Sequence, residues 1–161
     1  MEEETKTKGT YDEKQVVIFN LGNEEFGVDI NDVREIIKLE DITKIPNTEA
    51  YIDGVINLRG KIIVIIDLAK KLSLKTNERN KDTRIIVIEV QNSSVGMVVD
   101  SCNEVLRIST ENIEKAPDIV TKKVESKYIE GVAMLKERLI ILLTPSKILN
   151  LEEIKKVENI A

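Results

Sequence analysis

No histidine occurs anywhere in the 161 residues. That absence excludes imidazole metal ligands, His-based general acid–base catalysis and every Ser-His-Asp or Cys-His nucleophile. Cys102 is the single cysteine, so neither an intramolecular disulfide nor a thiolate metal cage can form. It reads as a small core or interface residue in a reducing compartment. Tryptophan is missing and aromatics reach only 3%, too few for a stacking platform on single-stranded nucleic acid. There is no basic excess either: 24 Lys and Arg against 29 Asp and Glu leave a net charge of −5, which argues against a polyanionic partner. The longest unbroken apolar runs, 62–66 and 139–143, fall far short of the roughly 20 residues of a membrane span. The opening Met-Glu-Glu-Glu-Thr-Lys has no basic or apolar signal region. A soluble, cytoplasmic chain is expected, with no nucleic-acid partner and no membrane insertion.

Phosphate-binding glycine loops and nucleophile-elbow or zincin motifs are also missing. The acidic pairs Glu24-Glu25, Asp29/Asp32 and Glu152-Glu153 read as solvated faces and helix caps. Asn92-Ser93-Ser94 matches a glycosylation sequon but reads as a turn. No enzyme and no cofactor are expected.

What is present is β-branched and aliphatic. Hydrophobic residues make up 42% of the chain and charged residues 33%, the balance of a packed core with a heavily solvated exterior. Short apolar runs at 16–20, 26–30, 55–58, 62–66, 84–90, 95–99, 104–108, 132–135 and 139–143 predict many short strands. Helical signals are brief. Asn31 or Asp32 suits a cap for a turn into 33–38, Asp67 a cap for 68–72, and Pro145 a first helical position. Apolar residues at 151, 154, 157 and 160 place one stripe on a final helix.

An internal repeat organises these elements. Residues 51–72 lie without a gap on 128–149, Gly54 falling on Gly131, and eight of the 22 positions are identical. Upstream, 26–38 matches 95–107, with Gly27/Gly96 and Glu35/Glu104 identical. Each copy is expected to hold two strands around a tight bend at Gly27 or Gly96, then a hairpin turning at Arg59-Gly60 or Lys136-Glu137, then a short helix. About five strands per copy favours closure into a small barrel, which removes the sheet edges. The expected fold is therefore all-β. A tail (1–14) precedes a first barrel with its linker (15–83), a second barrel (84–150) and a C-terminal helix (151–161), with the linker proper at 73–82.

Three stretches carry a resemblance: Gly54-Val-Ile-Asn-Leu-Arg-Gly-Lys-Ile-Ile-Val-Ile-Ile-Asp-Leu68, Phe26-Gly-Val-Asp-Ile with Val33-Arg-Glu-Ile36, and Gly96-Met-Val-Val-Asp100 with Glu104-Val-Leu106. Over roughly 15–150 the chain resembles the CheW family of bacterial chemotaxis coupling proteins. The Asn57-Leu58-Arg59-Gly60 turn is the most specific piece. Two departures are visible: Val64 stands where the family commonly has Pro, and Thr144 where the second repeat often has Asp. The resemblance implies two SH3-like five-stranded barrels and a non-catalytic adaptor between chemoreceptors and the histidine kinase CheA, recruited to membrane-associated receptor arrays.

By composition alone Arg59 is a solvent-exposed turn residue. The resemblance implies that it contacts the tip of a chemoreceptor's cytoplasmic helical hairpin, with Val33 and Gly54 beside it in the same groove. From the residues alone Val33 reads as core and Gly54 as a strand start. The resemblance likewise implies contacts to the regulatory domain of CheA through Ile30 and Glu35 on the first barrel and through Pro117, Asp118 and Ile119 on the second; residues 117–119 also read as a plain connector. Receptor and kinase sites are expected on separate faces. A coupling protein of a non-chemotaxis receptor–kinase system, or a small-ligand-binding double barrel, remain the alternatives.

Overall fold

The structure, a computed structural model, describes residues 12–161. Of the expected tail, 1–11 lie outside the described residues, and residues 13 and 14 are already strand. The elements run β1 (Glu13–Leu21), β2 (Glu24–Asp29), β3 (Val33–Lys38), β4 (Ile52–Leu58), β5 (Lys61–Asp67), α1 (Leu68–Lys71), β6 (Arg84–Val90), β7 (Ser93–Val99), β8 (Ser101–Ser109), β9 (Ile113–Glu114), α2 (Asp118–Thr121), β10 (Ile129–Leu135), β11 (Arg138–Leu143), α3 (Pro145–Ile148) and α4 (Leu151–Ile160). The fold is all-β, as expected.

Two sheets form, one of five strands in the order β3-β6-β7-β5-β4 and one of six in the order β8-β1-β2-β11-β10-β9. Four hairpins close through two-residue turns, 22–23, 59–60, 91–92 and 136–137. Gly22-Asn23 and Gln91-Asn92 have positive φ at both positions, the geometry whose twist matches that of the flanking strands. The turns thus fall four to five residues before Gly27 and Gly96, not at them. Those glycines sit inside β2 and β7 because the neighbouring side chains leave no room. A Cβ on Gly96 would lie 2.6 Å from Ile65 and 2.7 Å from Ile85, and one on Gly27 would meet Val16 and Leu142.

The boundary expected at 83/84 does not separate the sheets. Each repeat keeps its last strands in one sheet and sends its first hairpin into the other. The pair β1-β2 joins β8, β9, β10 and β11, while β6-β7 joins β3, β4 and β5. The chain crosses between sheets through a 3-10 turn, Ile30–Asp32, and again at Asp100. Parallel pairing of β5 with β7 and of β11 with β2 seals the exchange. Pseudo-symmetry extends to details: β9 pairs with β10 at Val132, and its counterpart is a lone bridge between Thr43 and Val55.

Alternation then divides the apolar residues among three cores. On β5, Ile63 and Ile65 face the interior of the five-stranded barrel, and on β11 Ile140 and Leu142 face that of the six-stranded one. Val64, Ile66, Ile141 and Leu143 face a larger core shared by both sheets. Strands buried on both faces explain the unbroken apolar runs.

The short helices follow their caps. Asp67 accepts a hydrogen bond from the Lys70 amide at 3.2 Å, whereas Thr144 makes no side-chain cap bond to α3. Residues 33–38, expected to turn helical, are strand. Their alternating half-buried and exposed residues pair with β6, and Asp29, not Asn31 or Asp32, caps the turn before them, accepting from the Asn31 amide at 2.8 Å. In α4, Asn150 accepts from the amides of Glu152 and Glu153. Ile154 and Val157 are buried in the shared core, and Glu153 accepts from the Tyr51 hydroxyl at 3.1 Å. Burial, then that bond, pushes the Tyr51 hydroxyl well above its usual range.

The linker is tied down. Arg79 bridges Asp53 and Asp67, both carboxylates only 13–15% exposed, and Asn77 donates to Asp100 at 2.7 Å. Arg79→Ala should lower unfolding free energy by about 1–2 kcal/mol, since it strips two partly buried acceptors of a charged donor. Urea denaturation checks this.

Candidate functional site

The Asn-Leu-Arg-Gly turn has a local explanation. Asn57 Oδ1 accepts from the Gly60 amide at 2.8 Å, closing the tip. Leu58 packs against the interior of the five-stranded barrel, and Gly60 takes φ +84°. Arg59 is thereby held at φ +51°, with its side chain 68% exposed. The second repeat has Met134 and Glu137 in place of Asn57 and Gly60, so its tip lacks this lock. Asn57, expected only as part of the turn motif, is thus the residue that locks the tip, and its signal is an Asn three residues before a turn Gly.

Arg59 forms an ion pair with Glu35. Glu35 lies on β3 at one edge of the sheet, and Arg59 on the hairpin that begins with β4 at the other, so the pair joins the two edges of a curled sheet. One residue that the resemblance implies for the receptor and one that it implies for the kinase therefore touch. Beside them, Arg34 donates to Glu89 at 2.8 Å, and Ile62 lies exposed directly across the hairpin from Asn57. In the second barrel the counterpart of Glu35, Glu104, is held by Arg138, which also forks onto Glu25 at 2.6 and 3.1 Å. These bonds raise the Arg138 pKa further above its usual range.

The other expected residues divide. Val33 and Ile30 are half-buried and packed against the shared core, where the chain crosses between sheets. Gly54, which the resemblance implies beside Arg59, is buried. It follows a bulge in β4 at φ +144°, and a Cβ there would run into the Thr43 carbonyl. That clearance lets Thr43 and Val55 exchange two backbone hydrogen bonds of 2.9 Å. Pro117, Asp118 and Ile119 lie together and exposed on the second barrel. Val120 is buried and anchors α2, leaving Ile119 67% exposed. Cys102 is half-buried against the shared core, and burial pushes its thiol up, away from reactivity.

Among the described residues no cluster of acidic or cysteine side chains could hold a metal ion, and no helix is long and apolar enough to cross a membrane. The geometry offers exposed turns and an ion pair, the means of binding another protein.

The family model of the CheW-like domain matches residues 15–153. The chain belongs to the CheW-like family. It is 39% identical over 148 residues to the chemotaxis protein CheW of Klebsiella aerogenes, covering 92% of this chain and 89% of that one. It is 35% identical over 148 residues to the chemotaxis protein CheW of Thermotoga maritima, covering 92% and 94%. The crystal structure of the scaffolding protein TtCheW from Thermoanaerobacter tengcongensis superposes with a TM-score of 0.76 at 40% identity, covering 83% of this chain and 90% of that one. As a CheW-like protein it is a chemotaxis coupling adaptor and not an enzyme, and it serves receptor and kinase partners. Val64, where the family commonly has Pro, pairs with Val55 on one side and Val95 on the other. Thr144, at the place of the family's Asp, leaves α3 without the side-chain cap that Asp67 gives α1.

Proposed function

We propose that this protein joins the cytoplasmic hairpin tip of a chemoreceptor to the regulatory domain of CheA within membrane-associated receptor arrays, with Arg59 as the receptor contact. The exposed guanidinium at a turn locked by Asn57 carries this reading. Its planar fork of donors suits carboxylates and the free carbonyls of a helical hairpin's end, and the locked turn keeps the ordering cost of binding low. Val33, half-buried two residues before Glu35 on β3, is the apolar residue of the same contact. Gly54 acts indirectly, by letting the Thr43 segment close on β4.

The kinase contacts divide between the barrels. Ile30 and Glu35, of which Glu35 pairs with Arg59, belong to the first; Pro117, Asp118 and Ile119 belong to the second. An exposed isoleucine on a short helix pinned by Val120 has the character of an anchor residue at a small interface.

Calorimetry with a receptor hairpin fragment and with the isolated CheA regulatory domain tests both assignments. Arg59→Ala should weaken receptor binding tenfold or more while the melting temperature stays put, because an exposed turn side chain contributes little to folding. Ile119→Arg should weaken kinase binding to a similar degree and spare the receptor. Unchanged receptor affinity in Arg59→Ala would remove Arg59 from the site, and unchanged kinase affinity in Ile119→Arg would remove the 117–119 loop.

A further inference from the structure

Three lysines from three elements line one cleft beside the C-terminal helix. Lys71 ends α1, Lys127 lies in the 3-10 turn Ser126–Tyr128 that leads into β10, and Lys147 lies in α3. Tyr128, Ser146 and Asn150 form much of the remaining wall, and the cleft measures about 560 Å³. The repeat shows why it is cationic. Tyr51 and Tyr128 are equivalent positions of the two copies, but Lys71 falls on Ile148, so one copy supplies a cation where the other supplies a buried aliphatic side chain. The Lys71 ammonium lies 4.4 Å from the centre of the Tyr51 ring and 5.9 Å from that of Tyr128, and the Lys127 ammonium lies 5.1 Å from that of Tyr128. Aromatic faces hold these cations in place without neutralising them. Among the described residues, Lys127 alone of the three has a carboxylate partner, Glu125 at 3.3 Å, and both side chains are exposed, so the pair is weak. Glu152 is the one acidic residue on the cleft wall.

We propose that this cleft is a docking site for a short acidic segment of a partner protein. Neither Ile30, Val33, Glu35 and Arg59 nor residues 117–119 line it, so the site does not depend on the receptor and kinase assignments. Charge selects the occupant. The net charge of −5 repels a long polyanion, whereas a segment of a few acidic residues feels mainly the lysines within a Debye length, about 8 Å at physiological salt. The volume is far more than a single inorganic anion fills and is of the size that takes several side chains. The lysines line a concavity, which suits a peptide and not a flat lipid surface.

The test is a two-dimensional amide NMR titration of the full chain with a hexaglutamate peptide at low salt. Signals of residues 71, 127, 128 and 146–151 should shift while those of 33–35 and 59 stay still, and added salt should weaken binding. Lys127→Glu/Lys147→Glu, at two exposed positions, should keep the melting temperature and lose affinity roughly fivefold or more. Lys155→Glu/Lys156→Glu makes the same charge change at exposed positions of α4 outside the cleft and should lose less than about twofold. Equal losses in the two variants, or shifts scattered over the surface, would mean attraction by overall charge and would overturn the site. Tighter binding of phosphatidylserine vesicles than of the peptide would overturn the acidic segment in favour of a lipid surface. Lys127→Glu/Lys147→Glu should also bind the receptor hairpin fragment and the CheA regulatory domain as the wild type does; loss of either affinity in the folded variant would make the cleft part of that contact and overturn it as a separate site.

Discussion

Gly54→Ala should destabilise the protein by about 3 kcal/mol or more, although it adds a single methyl group. Two costs combine. The residue sits at φ +144°, a region that only glycine occupies without strain of about 1–3 kcal/mol. The new Cβ also collides with the Thr43 carbonyl, and relieving that collision breaks the two hydrogen bonds between Thr43 and Val55, each contributing about 1 kcal/mol. Gly131, its counterpart in the second repeat, provides the control. It follows the equivalent bulge in β10, but its φ is not positive and its Cβ would stand 2.8 Å from the Glu114 carbonyl. Gly131→Ala should therefore cost less, about 1–2 kcal/mol. Urea midpoints of the two variants decide the matter: equal, small shifts would show that Gly54 has no special structural role. Receptor binding by Gly54→Ala should fall in step with the folded fraction.

Phe26→Ala should cost about 3–5 kcal/mol, the range for removing a fully buried aromatic ring. Phe26 is completely buried, stacks on Phe19 with ring centroids 5.9 Å apart, and pairs across β2 with Ile141 of β11. It therefore stands where one repeat's hairpin enters the other repeat's sheet. The exchange makes a further demand on the result: unfolding of Phe26→Ala should remain a single transition by both circular dichroism and tyrosine fluorescence, because neither sheet can be completed without strands from both halves. Two separate transitions, with residues 84–150 melting at the wild-type midpoint, would mean that the repeats fold as independent barrels.

Much of this architecture is legible in the residues. Period-two burial, two-residue turns and the match of 51–72 with 128–149 identify the strands, the β4-β5 and β10-β11 hairpins and the short helices after them, because each depends on neighbours a few positions away. The Asn57-Leu58-Arg59-Gly60 turn is legible for the same reason. Residues 33–38 read wrongly because a six-residue segment with mixed polarity has no decisive local signal, and pairing with β6 made it strand. Gly27 and Gly96 read as bends because glycine has two uses, positive φ and close packing, and only the neighbouring Val16, Leu142, Ile65 and Ile85 show which applies.

Local chemistry and the repeat were enough to determine an all-β chain of two related units with Arg59 at an exposed tip. Which unit each hairpin joins was decided by the tertiary structure alone. Alternation specifies the face a side chain takes but not the strand it pairs with, and the two repeats present such similar apolar faces that β1-β2 and β6-β7 fit either sheet by pattern. The contact between Glu35 and Arg59 was hidden for the same physical reason. Twenty-four residues separate them in the chain, and only the curling of a five-stranded sheet brings its two edges, and with them two opposite charges, into contact.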